Sequence, residues 1–157
     1  MSNRNIDEPN EIILSTHSEA SWGRRRQELR DWTDSLKLRR QPKRTLLLDE
    51  VYVDAELHRT LTLLREKHIQ TEFSCAGVSL LDEPEDHSLY AYLTLIASKE
   101  AENFIQSTMK LMRHRLMVTF EPNRSRYDLS SFYIGHNRSF CRLLERSAEL
   151  FDPPISI

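Results

Sequence analysis

A single α+β domain with a ferredoxin-like, split β-α-β core is the fold class this sequence predicts. Three observations carry it. The chain has 157 residues, enough for one compact core and too few for two. From residue 45 onward, short leucine-rich or β-branched runs alternate with longer helical stripes in the order β-α-β-β-α-β. Each of the two helical stripes opens on a residue suited to capping it, Asp54 and Ser98.

The first run, Thr45 to Val53, is rich in leucine and valine and too short for a helix, so it reads as a strand. Asp54 then caps a helix through His68, with Leu57, Leu61 and Leu64 on one face and Glu56 in the first turn. Ile69 to Phe73 reads as a strand running into a turn at Gly77. A polar loop with Pro84 follows over Leu80 to Ser88. Leu89 to Ile96 alternates with apolar residues in both registers, the pattern of an interior strand. Ser98 caps a second helix to Met112, with Ala101, Phe104, Ile105, Thr108 and Met112 inward. Leu116 to Phe120 is a further strand stopped by Pro122, and Phe132 to Ile134 suggests one more. A last helix spans Ser139 to Phe151, with Phe140, Leu143, Leu144 and Phe151 inward and Pro153-Pro154 as its stop. The domain thus covers 45–151, before a short tail at 152–157.

Upstream of it, residues 1–21 form a polar, acidic tail. Residues 22–44 form a basic arm, nine Lys/Arg against three Asp/Glu for a net of +6, facing a body whose residues 45–105 carry a net of −8. In the arm, Trp22, Leu29, Trp32 and Leu36 fall near one face, an amphipathic helix ended by Pro42. Two readings of the arm stay open. It docks on its own acidic body, or Trp22, Arg24, Arg25, Arg26, Arg39 and Arg40 contact nucleic acid or a protein partner.

Composition removes several function classes. Met1 to Asn10 lacks the basic-then-apolar order of a signal peptide, and no window approaches a membrane span of roughly 20 apolar residues, so a cytoplasmic location and no membrane partner are expected. Two cysteines, Cys75 and Cys141, make neither a disulfide framework nor a four-ligand zinc site. The six histidines are scattered, and no metal site is expected. Phosphate-loop, dinucleotide-binding and serine-elbow signatures are missing.

The sharpest local feature is Thr71-Glu72-Phe73-Ser74-Cys75-Ala76-Gly77, a strand ending in small and hydroxyl-bearing residues before a glycine. Gly77 is free to take positive φ, and successive N–H groups in such a turn make an anion-binding concavity, with the Ser74 hydroxyl as an added donor. Thr71, Ser74, Cys75 and Gly77 are therefore the candidate ligand site, with Arg124 and Arg126 as phosphate partners. A packed turn with Cys75 as a small buried hydrophobe is the plainer alternative. Tyr133, His136, Asn137 and Arg138 add a second polar, basic cluster.

The block from Val53-Asp54 through Phe73-Ser74-Cys75-Ala76-Gly77 to Leu80-Leu81-Asp82 resembles the tRNA wybutosine-synthesizing protein 3 family, with Val78 where that family carries arginine. The likeness extends over Tyr92 to Thr94 and Val118 to Pro122, so it covers roughly residues 45–122. It implies a relative of methyltransferases that use S-adenosylmethionine on a modified guanosine of phenylalanine tRNA, with the Ser74 to Gly77 turn at the site. The Ser-Cys-x-Gly pattern is equally similar to that of small, functionally unassigned bacterial and phage proteins. Three expectations stand side by side: a binder of a small anionic, nucleotide-type ligand; a methyltransferase-like enzyme acting on tRNA; and a regulatory or self-associating subunit working through the basic arm.

Overall fold

The structure, a computed structural model, describes residues 11–35, 44–79 and 88–153. Its order is β1 (Ile12–Ile13), α1 (Glu19–Asp34), β2 (Thr45–Leu48), β3 (Val51–Asp54), α2 (Ala55–Glu66), β4 (Thr71–Cys75), β5 (Tyr92–Ile96), α3 (Lys99–Met112), β6 (Leu116–Glu121), β7 (Arg126–Ser131) and α4 (Asn137–Leu150). Short 3-10 turns at Arg113–Arg115 and Ile134–His136 lead into β6 and α4. Five strands form one antiparallel sheet in the order β1-β6-β7-β5-β4, while β2 and β3 make a separate hairpin. Because β7 is antiparallel to both β5 and β6, those two strands run parallel on either side of it, and α3 is the connection between them.

One core joins sheet to helices. Leu57, Leu61 and Leu64 of α2, Phe104, Ile105 and Met112 of α3, and Phe140, Leu144 and Ala148 of α4 pack with Leu93, Leu95, Leu116, Val118 and Leu129 of the sheet. Burying a leucine or phenylalanine contributes about 1.5–3 kcal/mol, so this shared cluster is the main source of stability. α4 lies between α2 and α3. Two polar ties fix it there: a buried bond of 2.6 Å between the Thr108 and Ser147 hydroxyls, and Lys67, whose Nζ donates to the carbonyls of Ala148 and Phe151 at 2.6 Å each. A cation on the last carbonyls of α4 also complements the helix dipole. Ser98 Oγ accepts from Ala101 N–H at 3.0 Å, the expected cap, and Ser18 Oγ does the same for α1 from Ser21 N–H at 3.1 Å.

Several expectations need correction. The run 45–53 is not one strand of the main sheet. It folds back at Asp49-Glu50, both with positive φ (47° and 69°), into the β2–β3 hairpin. The last strand is Arg126–Ser131 rather than Phe132 to Ile134, where the chain instead enters a 3-10 turn. The arm helix begins at Glu19, ahead of Trp22, and Ile12–Ile13 of the acidic tail pairs with β6 at Phe120 and Thr119. Leu36, Arg39 and Arg40 of the arm and most of the 80–88 loop lie outside the described residues.

Candidate functional site

The Ser74 to Gly77 turn is packed from within. Gly77 adopts the expected positive φ, +80°. What approaches its backbone so closely is the side chain of Asn137, the first residue of α4. A Cβ at position 77 would lie 2.6 Å from the Ala91 nitrogen and 2.7 Å from Asn137 Cγ, well inside contact distance. Asn137 is buried and fully used: Oδ1 accepts from Ala91 N–H at 2.9 Å and the Ser131 hydroxyl at 2.5 Å, and Nδ2 donates to the carbonyls of Val78 at 2.6 Å and Leu89 at 2.8 Å. The N–H of Ala76 donates to Asp54 Oδ2 at 2.7 Å, in a buried bond. The protein's own carboxylate thus takes up a donor that the sequence offered to an external anion.

The other predicted ligand residues separate. Cys75 is buried, and its Sγ accepts from Ser88 N–H at 3.3 Å. Thr71 and Ser74 open instead onto a groove shared with the β2–β3 hairpin. Arg124 and Arg126 sit at the start of β7, whereas the turn lies toward its end, because Arg126 pairs with Ile96 and Ser130 with Tyr92. Both arginines engage Glu72, Arg126 Nε at 2.7 Å and Arg124 at 3.3 Å. Their hydrogen bonds and charge hold the Glu72 carboxyl below its ordinary pKa, Arg126 foremost. A site made of Ser74, Gly77, Arg124 and Arg126 together is not what the fold assembles. Cys141 is no nucleophile either, since burial, reinforced by the Glu56 and Asp54 charges, pushes its thiol up to about 12.

The described part of the basic arm, α1, docks on its own domain. Arg25 donates to the Phe132 carbonyl at 2.6 Å, and its guanidinium lies 4.0 Å from the Tyr90 ring centre, 5.0 Å from that of Phe132 and 5.8 Å from that of Trp22. Trp22 meets Phe132 edge-on, and His17 stacks on the same ring at 4.0 Å. Burial lowers the pKa of His17, with Arg25 adding to the effect. Trp32 packs with Val78 and Ile134 and donates Nε1–H to the Ser79 carbonyl at 3.0 Å. Glu28 accepts from the N–H groups of Ile134 at 2.7 Å and Gly135 at 2.8 Å. Arg24 and Arg26 are exposed on α1.

This docking leaves a cleft of about 940 Å3 between α1 and the turns at 113–115 and 133–136, lined by Arg24, Trp32, His114, Tyr133 and His136 and, on the α1 side, by the carboxylates Glu28 and Asp31. It is of ligand-binding size. The first turn of α4 starts at the same place: its cap residue, His136, makes no side-chain capping bond, and the turn carries no acidic residue. The ring centres of His114 and His136 are 6.2 Å apart, and that of Tyr133 is 5.1 Å from His136. Arg115 donates to Ser139 Oγ at 2.9 Å, beside the helix start. Burial, Arg115 and His114 together lower the pKa of His136, whose Nδ1 is buried without a partner among the described residues. Arg113 reaches this corner with φ +51° and ψ −122°, a conformation a side chain rarely tolerates. Sequence reasoning singled out Tyr133, His136 and Arg24 but not Glu28 or the pairing of His114 with His136, which depends on two turns far apart in the chain.

On the sheet, Glu11, Glu121 and Asp128 hold carboxylate oxygens within 4.8 Å of one another, an arrangement common among exposed acidic side chains. No helix among the described residues is long and apolar enough to cross a membrane. No family model, curated protein or solved structure matches this chain.

Proposed function

We propose that this chain binds a small anionic ligand of the nucleotide type, and that the ligand sits in the cleft between α1 and the turns at 113–115 and 133–136. The observation that carries this reading is the start of α4. A 14-residue helix begins at the cleft with no side-chain cap and no acidic residue in its first turn, while Arg115, His114 and His136 gather there. A helix N-terminus flanked by an arginine and two histidines favours a phosphate or carboxylate through its dipole, the Asn137 N–H itself being taken up by the Ile134 carbonyl. Tyr133 and Trp32 supply aromatic wall for a base or other flat group. The packed Ser74 to Gly77 turn serves this site from behind, through the Asn137 side chain, by fixing where α4 starts. We also read the sheet as a rearranged split β-α-β core, in which β4, preceding β5 in the chain, occupies the outer place beside it.

Thermal unfolding of the full chain with ATP, GTP, inorganic phosphate or S-adenosylmethionine tests the reading. A ligand at about 100 times its Kd stabilises by roughly 2.7 kcal/mol and raises the midpoint by several degrees. A shift with a nucleotide, lost in Arg115→Ala while the circular dichroism stays unchanged, is the expected result. A shift with S-adenosylmethionine alone that survives Arg115→Ala and is lost in Ser74→Ala would move the site to the turn and favour the methyltransferase-like reading. No shift with any of the four removes the cleft as a nucleotide site.

A further inference from the structure

We propose that the cleft selects guanine nucleotides, with the Asp31 carboxylate reading the base; this rests on the nucleotide reading of the cleft given above. The cleft runs along one face of α1, since Arg24, Glu28 and Asp31 follow at spacings of four and three and all line it. Its two ends differ in charge. Toward the start of α1 stand Arg24 and Tyr133, whose hydroxyl donates to the Ser21 carbonyl at 3.3 Å. The His136 ring lies 5.1 Å from that of Tyr133, and His114 lies 6.2 Å from His136. Toward the end of α1 the wall is Glu28, Asp31 and Ser35. An anion is drawn to the first end and repelled from the second, so a ligand filling the cleft sets its phosphate by Arg24 and hydrogen-bond donors by Asp31. Asp31 stands seven positions after Arg24, about 10 Å along the helix axis. That is the reach from the phosphate of a nucleoside monophosphate to the far edge of its base.

Of the two carboxylates, Asp31 is the one open to a ligand. Both Glu28 oxygens already accept backbone N–H groups, from Ile134 at 2.7 Å and Gly135 at 2.8 Å. Asp31 Oδ1 accepts from Gln27 Nε2 at 2.8 Å, and Gln27 Oε1 accepts from Arg30 at 2.8 Å, a chain that orients the carboxylate. Asp31 is exposed, and among the described residues its Oδ2 has no protein partner. Two adjacent acceptors therefore face the cleft. Guanine is the base that presents two adjacent donors, N1–H and the N2 amino group, to such a pair. Adenine and cytosine set a ring-nitrogen lone pair beside their amino group, which a carboxylate repels, and uracil flanks its one N–H with carbonyls.

Isothermal titration calorimetry of the full chain with GMP, IMP and AMP tests the proposal. The three share ribose and phosphate, but IMP lacks the N2 amino group and AMP offers neither donor. The expected order is GMP, then IMP, then AMP, with GMP bound at least about tenfold more tightly than AMP, as a paired base contact confers. In Asp31→Asn one acceptor becomes a donor, and the affinity for GMP should fall to that for AMP. The position is exposed, so circular dichroism should stay unchanged. A 5′-phosphorylated trinucleotide beginning with guanosine, titrated alongside, should bind no more tightly than GMP; tighter binding makes the occupant a strand end and overturns a free nucleotide. Equal affinity for GMP and AMP overturns the proposal while leaving the anion site in place, as does a GMP preference that survives Asp31→Asn. No binding of any of the three removes the nucleotide reading of the cleft and this proposal with it.

Discussion

Truncating Asn137 to alanine should cost about 3 kcal/mol, because three buried groups and one half-buried carbonyl lose their partners at once. Ala91 N–H and the Ser131 hydroxyl lose Oδ1, and the carbonyls of Val78 and Leu89 lose Nδ2. An orphaned buried donor or acceptor costs roughly 1–3 kcal/mol, and entry of a water into the vacated space keeps the sum near the lower bound per group. For a domain of this length the midpoint should fall by about 6–12 °C. Asn137→Asp should do no better, since it keeps Oδ1 but turns the donor into a second acceptor aimed at two carbonyls. Gly77→Ala adds a second measurement to the same spot. Its φ of +80° costs roughly 1–2 kcal/mol with a Cβ present, and the clash with Asn137 and the Ala91 nitrogen roughly 1–3 more. In the Asn137→Ala background part of that clash disappears, so the double variant should be more stable than additivity predicts by about 1 kcal/mol. Urea unfolding followed by tryptophan fluorescence reads this directly, because Trp32 packs on Val78, next to the turn. A cost below about 1 kcal/mol for Asn137→Ala, or strict additivity in the cycle, would refute the claim that Asn137 holds the turn and α4 together.

Two further outcomes follow from the docking of α1. Arg25→Ala removes a charged hydrogen bond to the Phe132 carbonyl and the stacking on Tyr90, and should cost about 2 kcal/mol while accelerating amide exchange in α1 more than in α4. The histidines set an acid limit. His17 and His136 have folded pKa values lowered below the ordinary 6.5, so the unfolded chain binds more protons once the pH falls under that value. The stability these neutral rings contribute is complete above 6.5 and is lost as the pH drops from there through their folded values. Thermal midpoints measured across that window should decline on acidification, and less steeply in His17→Gln; equal slopes would exclude His17 as a source.

Helices were the legible part of this sequence, since their signals are local. Leu57, Leu61 and Leu64 repeat at helical spacing within α2, and Ser98 caps α3 as its hydroxyl suggests. The strands were read less well, for reasons visible in particular residues. Asp49-Glu50 turns the hairpin with two positive φ angles but without the glycine that ordinarily marks such a turn, so Thr45 to Val53 looked continuous. β7, Arg-Tyr-Asp-Leu-Ser-Ser, alternates between a face toward the core, with Tyr127 and Leu129, and a polar face with Arg126 and Asp128, and its apolar content is too low to stand out. At the turn, Gly77 announced a close approach. That the approaching group is Asn137, 60 positions later, depends on tertiary packing that no local pattern encodes.

The attachment of α1 also bears on how the chain is made. Glu28 binds backbone groups of residues 134 and 135, and Arg25 that of Phe132, partners more than 100 positions downstream. At roughly 5–20 residues per second of synthesis, α1 emerges about 5–20 s before the groups it docks on exist. During that interval Trp22 lacks Phe132, and Trp32 lacks Ile134. The nascent chain should therefore expose an aromatic, arginine-rich helix to whatever waits at the ribosome exit until residues 132–135 have emerged.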